Sequence, residues 1–193
     1  MNLTDSFKEA PFMQAFSNFE GGFLLFVQEH LRVPALDGVM TSITHLGDTG
    51  AIWIALALIL LVIPRTRKAG IVCAAALVLN LLLTNIALKN IIQRIRPYDV
   101  MESLKILVEA EHDFSFPSGH TACSFAGAWA MRRTLDKKFW IPAMVLAVLI
   151  SLSRLYVGVH YPTDILGGVI VGTFAAEAVY RLIKKFVPKF QMK

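Results

Sequence analysis

The chain of 193 residues is 55% hydrophobic and only 17% charged, with a mean hydropathy of +0.58. A soluble domain carries about 25% charged residues, so the composition argues against one and makes a membrane solvent the first explanation to test. The net charge of +5 carries no nucleic-acid reading in such a chain; what matters is where the charges fall.

The N-terminus, Met-Asn-Leu-Thr-Asp, lacks the basic start and apolar run of a secretory signal. Phe12, Phe16, Phe19, Phe23 and Phe26 then recur at spacings of four and three, which is one face of a helix. Gly21 and Gly22 interrupt it, and Glu20 and Glu29 lie nearby. Residues 6–32 are read as one or two amphipathic helices, lying in the membrane interface or against the bundle. A sixth crossing is the alternative. Residues 35–46 lead into the first span.

Five apolar runs follow: 50–63, 69–88, 114–131, 139–153 and 165–176. About twenty residues cross a hydrocarbon core as a helix, and only 69–88 meets that length without a charge or a break. Five such runs with little polar sequence between them predict an all-α, polytopic transmembrane bundle of five or six spans. No repeat or linker divides it. The expected organisation is a single domain over 1–193, with an amphipathic region 1–46 and a catalytic bundle 47–185.

Positive charge sets the orientation. Arg65, Arg67 and Lys68 fall on one side, with Arg132, Arg133, Lys137 and Lys138, and with Arg181, Lys184, Lys185, Lys189 and Lys193. The positive-inside rule makes that side cytoplasmic. Trp129 and Trp140 flank the middle cluster as interfacial aromatics would. The 91–116 and 156–163 loops then face outward. Cys73 and Cys123 fall near opposite faces and are expected as unbridged thiols. No zinc-ligand spacing is present.

Three polar clusters meet span ends on the outward side. Lys89 and Arg96 are seven residues apart, about two helical turns, so they can share a face and hold a phosphate. A basic helix end against lipid head groups fits equally well. In Phe116-Pro117-Ser118-Gly119-His120, proline suits a first helical position. The free N–H groups after it bind anions, Ser118 adds a hydroxyl, and His120 moves a proton at neutral pH. A plain helix cap is the competing reading. In the third cluster, Pro162 starts a helix, with His160 just before it and Asp164 in its first turn. Asp164 can then fix one ring nitrogen of His160 and leave the other free to attack. Arg154 ends the preceding span and can fork onto phosphate oxygens. Together these residues supply what phosphoryl transfer needs: cations, a nucleophile and an acid.

The pattern KxxxxxxRP, PSGH, SRxxxxxHxxxD, complete at residues 89–97, 117–120 and 153–164, resembles the signature of the type 2 phosphatidic acid phosphatase family. The resemblance implies a phosphohistidine on His160, oriented by Asp164. His120 would act as acid on the leaving group. Lys89, Arg96, Ser118, Gly119 and Arg154 would hold the phosphoryl oxygens, with no metal and no other cofactor. It also implies a lipid phosphate substrate. A small member with an outward-facing site resembles bacterial undecaprenyl pyrophosphate phosphatases, with phosphatidylglycerophosphate and phosphatidic acid phosphatases as competitors. A non-reacting carrier of anionic lipids and a haloperoxidase-like enzyme are the alternatives from other classes. Weaker expectations attach to other polar residues. Glu109, Glu111, His112 and Asp113 read as a solvated acidic loop, inside a 98–116 segment able to act as a lid. His30 and His45 read as structural or interfacial, with a supporting role for His45 and Asp48 as a minor option. Asn80, Thr84 and Asn85 read as interhelical hydrogen-bond formers, and Glu177 with Arg181 as an ion pair.

Overall fold

The computed structural model describes residues 11–187, with side chains from residue 18 onward. Residues 6–10 of the expected N-terminal helix, the side chains of Phe12 and Phe16, and Lys189 and Lys193 lie outside the described residues. The described chain is helical, with no strand among the described residues. Helix α1 spans Pro11–His30 and α2 spans Pro34–Leu46; a tight turn at Asp48–Gly50 leads into α3, Ala51–Val62. Helix α4 begins as Arg67–Leu81 and runs on through a π-helical stretch, Leu82–Leu88, to Lys89–Ile92. The one-turn helix α5, Pro97–Val100, precedes a loop and then α6 (Gly119–Thr134), α7 (Lys137–Tyr156) and α8 (Pro162–Phe186).

Among the described residues three segments are long and apolar enough to cross a membrane: Arg67–Val100, Lys137–Tyr156 and Pro162–Phe186. Pro34–Leu46 and Asp48–Val62, bent by 44° at their junction, add a fourth if they act as one span. The expected five or six spans are not confirmed by this measure, and α6 shows why. It has 16 residues, about 24 Å at 1.5 Å per residue, and lies inside the bundle against α4, α7 and α8. Its residues are chosen for close packing and not for lipid, so they are small and weakly apolar.

The packing of α6 against α8 sets the floor of the bundle. A Cβ on Gly168 would lie 2.8 Å from Thr121 Cβ and 2.9 Å from the Ser118 carbonyl; one on Gly172 would collide with the Ala122 carbonyl. Gly168 and Gly172 form a GxxxG pair, the spacing that lets membrane helices touch backbone to backbone. On the other flank Gly127 receives the Trp53 ring, whose Nε1 donates to Ser124 Oγ at 2.9 Å. Large apolar side chains point outward instead, among them Leu58, Val62, Ile86, Ile170 and Phe174. That inversion is expected where the solvent is hydrocarbon.

Helix α1 runs unbroken through Gly21 and Gly22, which corrects the expected interruption. Phe19, Phe23 and Phe26 face outward, while Glu20, Leu24 and Val27 turn inward, so these three phenylalanines mark the outward side of the helix. Thr84 Oγ1 donates to Asn80 Oδ1 at 3.1 Å within α4, and not between helices. Glu177 does pair with Arg181, at 2.7 Å, and Arg132 lies over the Trp129 ring at 4.2 Å. Cys73 and Cys123 are both free thiols. Each of α4, α6, α7 and α8 carries basic residues at one end and an expected site residue at the other.

Candidate active site

The end of α4 does not put Lys89 and Arg96 on one helical face. The helix stops at Ile92 because Gln93 turns left-handed, at φ 50°. Arg96 returns on the following loop, where Pro97 begins α5. The two cations meet through a third residue: both pair with the Asp113 carboxylate. Arg96 Nε also donates to the Asp113 carbonyl at 2.8 Å and Nη1 to the Val159 carbonyl at 3.0 Å. The first bond anchors the guanidinium on the 98–116 loop and the second on the strand of chain leading to His160.

The PSGH segment starts its helix later than expected. Ser118 is the N-cap and Gly119 the first helical residue, so Pro117 stands before the cap. Ser118 Oγ accepts from Thr121 N at 3.4 Å, and its backbone N–H donates to the Asp164 carbonyl at 3.0 Å. That second bond ties the starts of α6 and α8 together. Gly119 faces Lys89; a Cβ there would sit 3.8 Å from Nζ.

Asp164 lies in the first turn of α8 and His160 just before it, both fully buried. His160 Nδ1 is 3.4 Å from Asp164 Oδ2, and Nε2 is 3.4 Å from Arg96 Nη1. The ring is thus held on one nitrogen and presents the other to the cations. Burial pushes the imidazole down to about 4; the Asp164 hydrogen bond opposes the shift, and Arg96 and Arg154 add to it. At neutral pH the ring is uncharged, and a lone pair is available. Asp164 is itself fixed by the Tyr161 N–H at 2.9 Å, Ser115 Oγ at 2.5 Å and Arg94 Nη1 at 2.7 Å. Arg94 lies over the Tyr161 ring at 4.0 Å and pairs with Glu20 at 2.6 Å. Glu20 Oε1 also accepts from Thr163 N at 2.8 Å and Thr163 Oγ1 at 2.7 Å.

The acidic loop is not a solvated one. Glu111 and Asp113 turn inward onto the cations. Glu111 pairs with both Arg96 and Arg154, and its two oxygens lie 3.9 Å from His160 Nε2 and 3.9 Å from His120 Nδ1. Burial pushes the Glu111 carboxyl up, but Arg154 and Arg96 outweigh it and hold it below the ordinary glutamate range. Buried cations with no anion are costly, which is why a nearby carboxylate folds in. Arg154 Nη1 donates to Thr44 Oγ1 at 2.6 Å, while its Nε is buried with no protein partner. His120 Nε2 lies 2.9 Å from Asp48 Oδ1, and His45 Nδ1 lies 2.8 Å from Asp48 Oδ2.

All eight expected residues therefore converge on one end of the bundle: Lys89, Arg96, Ser118, Gly119, His120, Arg154, His160 and Asp164. Glu20, Arg94, Ser115, Thr44 and Glu111 join them unannounced. Arg94 sits inside the first motif, and a glutamate in an aromatic stripe was a visible signal for Glu20; Thr44 and Ser115 left no sequence signal. Among the described residues no group of three or more His, Cys, Asp or Glu is disposed to hold a metal. A cavity of about 920 Å³ joins the site to an apolar groove, running from Lys89, Gly119 and His120 past Ile54, Leu58 and Leu77. A second, of about 670 Å³, opens beside it and is lined by Thr44, His45, Asp48, Glu111 and Arg154.

Residues 69–188 match the family model of the PAP2 superfamily. The chain belongs to that superfamily. It is 33% identical to an undecaprenyl-diphosphatase of Sulfolobus acidocaldarius, over 74% of this chain and 68% of that protein. It is 35% identical to phosphatidylglycerophosphatase B of Bacillus subtilis, over 82% of each chain. The crystal structure of a transmembrane PAP2-type phosphatidylglycerolphosphate phosphatase from Bacillus subtilis superposes with a TM-score of 0.71 at 28% identity, over 95% of this chain and 92% of that one. The PAP2 chain described here is accordingly a membrane phosphatase with a helical-bundle fold.

Proposed function

We propose that the protein hydrolyses a lipid phosphate or pyrophosphate through a phosphohistidine, with undecaprenyl pyrophosphate as the first substrate to test. The observation that carries this reading is the placement of Glu111. One carboxylate bridges Arg96 and Arg154 and stands 3.9 Å from a ring nitrogen of each histidine. A phosphoryl group in its place has cations on its oxygens, a nucleophile on one side and an acid on the other. The buried, unpartnered Arg154 Nε adds a donor for that anion.

In this reading His160 Nε2 attacks phosphorus while His120 Nδ1 gives its proton to the leaving oxygen. The P–O bond breaks and a P–N bond forms. The bare Nδ1 of His120 then takes a proton from water, whose oxygen attacks phosphorus, and the P–N bond breaks to release inorganic phosphate. Lys89, Arg96, Arg154, Ser118 and Gly119 hold the phosphoryl oxygens, and Asp164 orients His160. Three cations neutralise the charge without a metal. The apolar groove takes the lipid chain, whose length exceeds any head group the polar end can hold. The chain acts as one domain, with 47–185 as the catalytic bundle and 1–46 packed against it, in the plasma membrane with the site on the extracytoplasmic side. The basic residues at the opposite helix ends support that orientation.

The test is phosphate release in liposomes with chelator present, comparing undecaprenyl pyrophosphate, phosphatidylglycerophosphate, phosphatidic acid and a soluble ester. Undecaprenyl pyrophosphate is expected to turn over fastest; a preference for either phospholipid redirects the substrate and keeps the chemistry. Metal dependence contradicts the mechanism. A carrier of anionic lipid would bind all of these and release no phosphate. Vanadate is expected to inhibit, and vanadate-dependent halide oxidation would revive the peroxidase reading.

A further inference from the structure

The site contains two aspartate–histidine pairs, and they are arranged as opposites. His160 gives Nδ1 to Asp164 and turns Nε2 toward the anion position; His120 gives Nε2 to Asp48 and turns Nδ1 toward the same position. The corner carrying Asp48 is built around His120. A Cβ on Gly47 would lie 2.7 Å from His120 Cδ2, and one on Gly50 would lie 2.7 Å from Cys123 Sγ, one turn further along α6. The backbone between them is left-handed at Thr49, φ 52°, and at Gly50, φ 71°. A threonine in that region is uncommon and needs surrounding structure to hold it. His45 holds the second Asp48 oxygen, and both residues line the polar cavity.

We propose that Asp48 is the positioning residue that makes His120 an acid. The inference rests on the phosphatase reading of the site. Asp48 keeps the proton on Nε2, so that the dissociable proton is the one on Nδ1 facing the leaving oxygen. Its charge also stabilises the imidazolium against Arg154, which shares the Glu111 carboxylate with His120, and against Lys89, which lines the same cavity. Glu111 is the other anion facing the ring. When Nδ1 gives up its proton, Nε2–H stays on Asp48, and Nδ1 is left as the base for the attacking water. Asp48 lies outside the family-matched residues 69–188.

The experiment compares two soluble esters in the full-length protein: an alkyl phosphate, whose alkoxide must be protonated to leave, and p-nitrophenyl phosphate, whose leaving group departs as the anion. Asp48→Asn is expected to lower kcat/KM, which reports steps only up to departure of the leaving group and excludes the water step common to both esters, by about 100-fold on the alkyl ester, the lower end for general acid catalysis. On the nitrophenyl ester the expected loss is under about 3-fold, which also shows that the variant is folded. The alkaline limb of the alkyl profile is expected to move to lower pH. In a His120→Gln background, Asp48→Asn is expected to add no further loss. Equal losses on both esters, no loss on either, or losses that multiply with His120→Gln would each overturn the inference while leaving an active wild type intact. A wild type that releases phosphate from no ester overturns the phosphatase reading and this inference with it.

Discussion

The two parts of the chain that meet at the site solve different problems. The family-matched core, 69–188, supplies every group that would touch phosphate, and it does so from helix ends with fixed local spacing. The N-terminal part, 11–50, supplies none of these, yet its Glu20, Thr44 and Asp48 hold Arg94, Arg154 and His120 in turn. In the proposed reading the core residues are set by the reaction. The N-terminal ones are set by the need to give each buried cation or histidine a partner. The difference teaches that a short signature is enough to place the chemistry but not to orient it.

Substitutions in the two parts are expected to separate accordingly. The largest effect belongs to the core: His160→Ala is expected to lower phosphate release at least about 10⁴-fold, as removal of a nucleophile does, with unchanged thermal unfolding. Arg154→Ala is expected to cost about 10²–10³-fold in kcat, the range for losing one transition-state donor. In the N-terminal part, Glu20→Ala is expected to act on stability first. It takes one of two carboxylates from the half-buried Arg94, which keeps Asp164, and leaves Thr163 without its acceptor; the cost is about 1–3 kcal/mol, read as a lowered unfolding temperature in detergent. A loss of activity without a loss of stability would break the contrast and move Glu20 among the reacting groups. Glu111→Gln removes the carboxylate seated between the arginines, so inorganic phosphate is expected to inhibit several-fold more tightly; weaker inhibition would show that Glu111 helps to build the anion site.

The smallest expected effect is on pH. His160 has its pKa lowered to about 4, so the neutral, attacking form persists below the ordinary histidine value of about 6.5. The acid limb of the rate is expected between these two values, nearer the lower one. A limb at the ordinary value would mean that the ring is solvated in the working enzyme.

The sequence carried the helical class and the eight core residues because both rest on local signals: apolar length, basic clusters, and motif spacing at helix starts. Other features depended on contacts between distant segments. Lys89 and Arg96 shared a ligand and not a helical face, because Gln93 ends the helix between them. Glu111 looked like loop surface until the cations it neutralises were in place. The phenylalanine stripe was read as lying in the membrane interface or against the bundle; Phe19, Phe23 and Phe26 face outward, and Glu20 is the residue that turns inside. The span count was not confirmed, because α6 is too enclosed by protein to need an apolar composition. The GxxxG at Gly168 and Gly172 was readable and marks the α6–α8 contact on which the site rests.

The central claim is a covalent bond between phosphorus and His160. It is tested most directly by rapid acid-free quenching of the enzyme with a ³²P-labelled lipid phosphate, followed by mapping of the labelled peptide. The account predicts a base-stable, acid-labile label on His160 that is absent from His160→Ala. Turnover with no trapped label under single-turnover conditions, or a label on any other residue, would contradict it.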